Sequence, residues 1–452
     1  MTAPPQKADA PREVSPEDRA AINPFAPLQG LLKRPMASYY LVVATTGLLL
    51  AIGLMMVLSA SSIVSYVKTG SPFTTFANQA LYALLGLVAF VIALRLPVRL
   101  IRMIGYPILI ISGAALLVLL AFPSLGVARN GVVRWIDVGP ILWQPSESAK
   151  LGLALWGADV LVRKRKLMTN FKHLIVPLLP VSVVLVGLVG VHDLGTSMCL
   201  MLVLVALLWV SGVRLRVFGL MLGVGVVGVI GFITAKAERM DRITSFLNPF
   251  ADPEFTGHQA VQGLYALSSG GFFGVGLGAS ATKWGGLPEA YNDFIFAVIG
   301  EELGLIGCVV VIGLFGVFGY SGFRVARRTA DPYVRLTAAA CTVWLTGQAF
   351  INMGAVVGLL PITGIPLPLI SQGGSSLVLT LFVAGMLAGF ARGEPEAAAM
   401  LNERGPTLGT RLFGMPPVPV LPAEGAGKRS TKAGASRTKG KPGPARSRPE
   451  RR

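Results

Sequence analysis

Ten stretches of this chain are apolar enough, and nearly all of them long enough, to cross a bilayer, and no other feature constrains the fold as strongly. They lie at residues 37–59, 76–94, 103–122, 144–162, 174–191, 195–212, 217–235, 292–322, 336–357 and 373–391, most of them near the roughly 20 residues that a spanning helix needs. In lipid, every backbone N–H and C=O must find its partner inside the protein, so repeated apolar segments of this length read as helices packed on helices. The expected fold is therefore an all-α integral membrane protein, a polytopic bundle of about ten transmembrane helices. The stretch 174–212 is divided at Val191-His192-Asp193-Leu194-Gly195, because His and Asp together are expensive at the bilayer centre. Residues 1–36 lack the apolar core of a cleavable signal.

Composition excludes a soluble globule: 53% of the 452 residues are hydrophobic and 14% charged, against about 25% charged in a typical soluble domain. Cys199, Cys308 and Cys341 each sit inside an apolar run and read as small core residues, not as a disulfide framework. The net charge of +18 owes much to the basic residues between 428 and 452, so it does not argue for nucleic acid as a partner. The remaining bases alternate from loop to loop. Arg95, Arg99 and Arg102, then Arg163 to Lys166 with Lys172, then Arg214 and Arg216, then Arg324, Arg327, Arg328 and Arg335 fall on one face. By the positive-inside rule that face is cytoplasmic. Both termini are then inside, and the long loop between spans 7 and 8 is extracytoplasmic. The chain divides into a cytoplasmic tail (1–36), the membrane domain (37–392) with its large outer loop (236–291), and a basic tail (393–452). The composition of that last tail, rich in Pro, Gly, Ala, Lys and Arg, predicts disorder; its basic end suits attraction to anionic lipid or to an acidic partner, and equally a solubilising cytoplasmic tail.

The outer loop is long enough to be functional. Within it, Ala260, Val261, Leu264 and Leu267 recur at helical spacing, which predicts an amphipathic segment along the interface over 258–269. The glycine run from Gly270 to Gly278 has neither the strand nor the βαβ context of a dinucleotide fingerprint, and reads as a flexible loop making a close approach. Ionisable groups at membrane depth are rare and face cavities or partners. Here Glu147, Asp159, Glu301 and Glu302 fall within spans, and Asp193 and Asp293 at outer mouths. Glu147 and Lys150, three apart on one helix face, predict an ion pair. On a continuous helix Glu301 would lie about 12 Å below Asp293 and about 80° round from it, so the two would line one cavity while Glu302 points away. His173, His192 and His258 are too scattered for a metal, and no Walker loop, nucleophile elbow or HExxH motif occurs. No cofactor is evident, and a divalent cation is not indicated by the sequence.

Several motifs then occur in a fixed order. They are Arg134-Trp135-Ile136 with Gln144-Pro145-Ser146-Glu147 and Lys150; Asp193-Leu194-Gly195-Thr196; Asn248-Pro249 with Gly257 and Gln259; and Gly270-Gly271. Leu287-Pro288-Glu289-Ala290, Asp293-Phe294-Ile295-Phe296 with Glu301-Glu302, Asn352, and Gly358 to Pro361 running to Pro368-Leu369-Ile370-Ser371-Gln372-Gly373-Gly374 complete the set. Over residues 36–395 the chain resembles the SEDS family (shape, elongation, division and sporulation), membrane-embedded peptidoglycan polymerases, and most of all its cell-division member. It departs from the family at His192, His258 and Gln372, where Pro, Tyr and Tyr are usual. The resemblance implies the SEDS fold and extension of glycan chains from lipid II on the outer face of the bacterial cytoplasmic membrane, at the septum. It also implies a class B penicillin-binding protein as partner, among other divisome membrane proteins.

In that reaction the acceptor hydroxyl attacks the donor's anomeric carbon and the lipid pyrophosphate leaves. Asp293 is the expected catalytic base: its aromatic neighbours Phe294 and Phe296 would raise its pKa toward a useful range, and Lys283 nearby would lower it. Capping of span 8 is the competing structural role for Asp293. Arg134, Lys283 and Arg242 are candidates for the pyrophosphate, and Gln259 and Gln262 for sugar or peptide. Glu147, Lys150, Asp193, Glu301 and Ser371 complete the candidate substrate-binding set. A lipid II flippase, or a non-catalytic divisome scaffold, would carry the same spans and buried charges.

Overall fold

The computed structural model describes residues 34–129, 132–139, 141–164, 177–191, 193–213, 215–234, 244–255, 257–284 and 286–404, with single positions 30, 32 and 240. Its helices run in chain order α1 (Ala37–Thr69), α2 (Thr74–Arg95), α3 (Val98–Ala121), α4 (Pro145–Arg163), α5 (Leu178–Gly190) and α6 (Leu194–Val210). Then come α7 (Leu215–Thr234), α8 (His258–Gly270), α9 (Ile295–Arg328), α10 (Pro332–Val356), α11 (Gly374–Arg392) and α12 (Pro395–Arg404). All but α8 and α12 occupy the apolar segments, in order. Six of them, α1, α2, α3, α9, α10 and α11, are long and apolar enough to cross a membrane, whereas α5 and α6 are apolar but shorter.

Three elements differ from expectation. Helix α1 runs ten residues past 59, because its polar stretch keeps its hydroxyls on the helix: Ser62 donates to the Ser59 carbonyl and Thr69 to that of Ser65. It stops at Gly70, whose φ of 75° returns its N–H to the Tyr66 carbonyl. A small antiparallel sheet joins α3 to α4, with β1 (Val127–Arg129), β2 (Val132–Val138) and β3 (Ile141–Trp143) in the order β1-β2-β3. The β-branched and aromatic run Val132-Val133-Arg134-Trp135-Ile136 favours a strand, so the bundle is not purely helical. The tail expected to be irregular from 393 opens instead with α12, whose Ala397 and Ala398 are buried. Its first residue is Pro, an acid follows in the first turn, and three alanines come next, all helix-favouring. The stretches 1–29 and 405–452, most of both tails, lie outside the described residues.

The core has two parts. One surrounds α4, with α3, α5, α6, α10 and α11 supplying its apolar side chains. The other gathers the first turns of α9 against α1, α10, α11 and the segment 367–370. Helix α4 is buried along its whole length from Pro145 to Leu161, and small residues let its neighbours approach. A Cβ on Gly152 would fall 2.9 Å from the Leu109 backbone on α3. Enclosure on every side explains why the charges of α4 must find partners within the bundle.

At one end of the bundle the start of α12, the last turn of α9 and the residues after α11 meet. Arg328 bonds Glu396 at 2.9 Å and faces Glu394 at 3.9 Å. The opposite end holds the small sheet, the starts of α4, α6, α9 and α11, and the loop 358–373. There the Gln144 N–H donates to Ser375 Oγ at 3.2 Å, and Gln348 Nε2 to the Pro366 carbonyl at 2.9 Å.

Candidate active site

Asp293 precedes the cap of α9: the N-cap position is Phe294, which makes no side-chain capping bond. Two devices place the Asp293 backbone. In the first, Glu289 takes a left-handed conformation (φ 54°), so its carbonyl accepts from the N–H groups of Asn292 and Phe294. Such a conformation is strained for a residue with a Cβ, and strain of this kind clusters at functional sites. The second is Asn352 on α10, whose Nδ2 donates to the carbonyls of Asp293 (2.7 Å) and Ile365 (2.8 Å). One amide thus binds the start of α9 to the loop between α10 and α11. A Cβ on Gly364 would stand 3.6 Å from Asp293 Oδ2, so the carboxylate lies against that loop, half-buried. Phe294 and Phe296 are buried in the second core, and the Phe294 ring packs on Gly263 of α8.

Lys283 and the acids of α9 are arranged otherwise than expected. Lys283 is buried, donates to the Gly278 carbonyl and faces Glu302 at 3.7 Å. Glu302 also accepts from Ser59 on α1 through both oxygens, at 2.6 and 2.8 Å. Glu301 accepts from Ser280 Oγ at 2.6 Å, from the Ala281 N–H at 2.8 Å and from Thr282 Oγ1. Glu301 thus clamps a loop, and Glu302 holds Lys283. Helical spacing does not relate Asp293 to these acids because Asp293 precedes the helix, which begins at Ile295; farther along, α9 is broken at Gly304 (φ 67°, ψ −165°).

Two further charge networks lie near this end of the bundle. Lys150 pairs with Glu147 at 2.8 Å, as the spacing predicts, and donates to Gln348 Oε1 at 2.9 Å while its ammonium lies 5.0 Å from the centre of the Trp344 ring. Glu147 also accepts from Ser376 at 3.1 Å, and Trp344 donates to Gln348 at 2.9 Å. This network joins α4, α10 and α11, and both Glu147 and Lys150 are buried within it. In the second network Asp193 caps α6, accepting from the Thr196 N–H and hydroxyl at 2.9 Å each, and Arg134 of β2 reaches it at 3.1 Å. The Arg134 Nε is buried without a hydrogen-bond partner. It borders a cavity of about 20 Å³ lined by Ser146, Leu116 and Leu188, room for about one water.

Ser371 is structural: its hydroxyl accepts from the Leu367 N–H at 2.8 Å, and Gln79 of α2 donates to its carbonyl at 3.3 Å. Gln259 donates to the Pro288 carbonyl at 3.3 Å, so it holds the turn before Asp293. Gln262 on α8 lies half-buried beside Gly286. Arg242 lies outside the described residues. Among the described residues no three His, Cys, Asp or Glu side chains gather around a point where a metal could sit. Gln348, Gln79 and Ser59 were not anticipated. The signal for the two amides was present, since a Gln within an apolar span is as conspicuous as an acid.

The family model described as FtsW/RodA/SpoVE cell cycle protein matches residues 39–395. The chain is 42% identical over 423 residues to the probable peptidoglycan glycosyltransferase FtsW of Mycobacterium tuberculosis, covering 93% of this chain and 79% of that one. It is 38% identical over 354 residues to stage V sporulation protein E of Bacillus subtilis, covering 78% and 96%. A chain solved in work on the structural coordination of polymerization and crosslinking by a peptidoglycan synthase complex has a TM-score of 0.65 at 26% identity, over 78% of this chain and 97% of that one. The crystal structure of Thermus thermophilus rod shape determining protein RodA gives 0.56 at 24% identity, over the same shares, and supports the fold.

Proposed function

The chain belongs to the FtsW/RodA/SpoVE family, and on that premise we propose that it extends glycan chains from lipid II with Asp293 as general base. It is a peptidoglycan glycosyltransferase of the cell-division type, as its 42%-identical relatives are named. The observation that carries the catalytic reading is the mouth of α9. There Asp293 lies outside the helix, half-buried, its backbone fixed by Asn352 and by the Glu289 turn. Fixing a base before the substrate arrives is what positioned acid–base catalysis requires.

In this reading the acceptor's GlcNAc 4-hydroxyl gives its proton to Asp293 as its oxygen bonds to the donor MurNAc anomeric carbon. The bond to the lipid pyrophosphate breaks on the opposite side, inverting that carbon. Arg134 is the favoured contact for the departing diphosphate, since its buried Nε has no partner within the protein and charge-assisted bonds are the strong ones. Lys283 is reassigned from pyrophosphate contact to support of the loop, through its bonds to Gly278 and Glu302.

The bundle in this reading has ten spans, both termini in the cytoplasm and the loop 236–291 outside, on the charge alternation of the loops. A class B penicillin-binding protein is the proposed partner and the septum the proposed site. The likeness to a chain from a synthase complex that couples polymerization with crosslinking supports the partner. The test is polymerisation of lipid II by the purified protein in detergent, with and without its transpeptidase. Glycan polymer is the expected product; none in either condition would overturn the polymerase reading in favour of a flippase.

A further inference from the structure

At Gly304 the hydrogen-bond ladder of α9 is opened and another segment is spliced into it. In an unbroken helix the N–H groups of Leu305 and Ile306 would bond to the carbonyls of Glu301 and Glu302. Instead they donate to the carbonyls of Gly271 (2.9 Å) and Phe272 (3.3 Å). The released carbonyls of Glu301 and Glu302 accept from the N–H groups of Val275 (2.9 Å) and Gly276 (3.1 Å). Two helical bonds are replaced by four bonds to the loop. The approach is possible only without side chains, since a Cβ on Gly274 would fall 2.1 Å from the Glu302 carbonyl oxygen and one on Gly304 2.4 Å from the Gly274 nitrogen.

Within the loop the N–H groups of Gly274, Val275, Gly276 and Ala279 all bond to backbone carbonyls, and pairing of irregular backbone inside the protein is what a low-dielectric medium favours. The side chains agree. Residues 270–279 contain no polar side chain, and Phe272 and Phe273 are 71% and 83% exposed, with Val275 and Leu277 also exposed. A patch of this kind on a water-facing loop would be a liability. Its place along α9 fits a membrane boundary. From Leu305 to Phe323 the helix carries no charge and displays Leu305, Ile306, Val309 and Val310 outward. That stretch measures about 28 Å, close to the hydrocarbon thickness of a bilayer, and it ends at Arg324. The spliced loop continues the apolar face of α9 at its other limit.

We propose that residues 271–279 are seated in the outer leaflet, with Phe272, Phe273, Val275 and Leu277 among the acyl chains. The loop is thereby a lipid-facing wall beside the mouth of α9, in place of the flexible aqueous loop that its glycines suggest. The test attaches bimane to Phe273→Cys, an exposed position, in the full-length protein; the native Cys199, Cys308 and Cys341 are buried. Glu254→Cys, at an exposed charged position, is the aqueous reference. In proteoliposomes containing brominated phosphatidylcholine, the label at 273 should lose most of its emission and resist iodide added to both sides, while the label at 254 should be quenched by iodide. Quenching of the 273 label by iodide, with no effect of brominated lipid, would place the loop in water and overturn the proposal. Protection from both quenchers would mean a protein surface, a second copy or a partner, covers it, and would overturn it equally. The measurement reads lipid contact and not glycan synthesis, so it stands apart from the polymerase assignment.

Discussion

Helices α4 and α9 both carry acids into the bundle, and they handle them in opposite ways. On α4 the chain is regular and enclosed, and each charge is matched by a side chain: Glu147 by Lys150 and Ser376, Asp159 by Arg102, Tyr106 and Arg163. On α9 the chain is broken, and its acids mainly hold a loop, Glu301 through Ser280, Ala281 and Thr282, and Glu302 through Lys283. The first arrangement ties helix to helix. The second ties irregular backbone to a helix, next to the mouth where Asp293 lies. A charge pair between helices fixes a scaffold, whereas a carboxylate accepting from a loop can hold a surface that ligands must pass.

The largest expected effect is at the mouth itself. Asp293→Asn keeps the shape and removes the basic carboxylate. Loss of a general base lowers rates by about 10²- to 10⁴-fold, so the purified variant should fold, retain its transpeptidase and make almost no polymer. Because Asp293 is not the cap of α9, little stability should be lost with it. Glycan synthesis at the wild-type rate by this variant would remove Asp293 from the mechanism and leave α9 as scaffold, like α4.

Next is the α4 network. Lys150→Met leaves Glu147 charged and buried, and breaking one side of a buried pair costs about 3–5 kcal/mol. Thermal exposure of the three buried cysteines to a thiol-reactive dye should occur at a markedly lower temperature. Adding Glu147→Gln should restore much of the loss, because no uncompensated charge then remains. If the single variant melts like wild type, the pair is not what holds α4, and the contrast with α9 fails.

The same two helices show what the sequence makes legible. The Glu147–Lys150 pair is readable because both residues lie on one helix face, at a spacing that needs only the helical repeat. Arg134 and Asp193 were each conspicuous, but 59 residues separate them, and no periodicity reports a contact at that range. The break in α9 was hidden for another reason. Gly304 resembles any glycine in an apolar helix, and its partner segment lies about thirty residues away, so the splice exists only in three dimensions. The relation expected between Asp293 and Glu301 required both to lie on one helix, and Asp293 lies before its cap. The helices themselves were readable because hydrophobic length needs no tertiary knowledge, while the strand run Val132–Ile136 is too short to stand out beside them.

Glu301→Gln sharpens the comparison from the α9 side. The amide presents an N–H₂ where the carboxylate accepted from Ser280, Ala281 and Thr282, leaving at least one donor unmatched at about 1–3 kcal/mol. The damage should stay local. Hydrogen exchange should quicken across 274–284 and remain unchanged across α4, with polymer yield reduced and not abolished. Uniform quickening throughout the bundle would mean that Glu301 stabilises the fold as Lys150 does, and would erase the distinction.

The smallest effect tests the far end of α9, where Glu394 meets Arg324, Arg328 and Ser38. Burial raises the Glu394 pKa above its ordinary value, against the lowering influence of Ser38, Arg324 and Arg328. The sign follows from linkage. A carboxyl whose folded pKa is raised favours the folded state while protonated, and that contribution is lost as pH rises through the folded value. Glu394→Gln should therefore match wild type near pH 4 and exceed it at pH 8. Melting in detergent across that pH range is the measurement. A wild type that is the more stable at pH 8 would show that attraction to Arg324 and Arg328 outweighs desolvation. This end of α9 would then follow the rule of α4, with charges that stitch helices together, and the exceptional character of α9 would be confined to its break and its mouth.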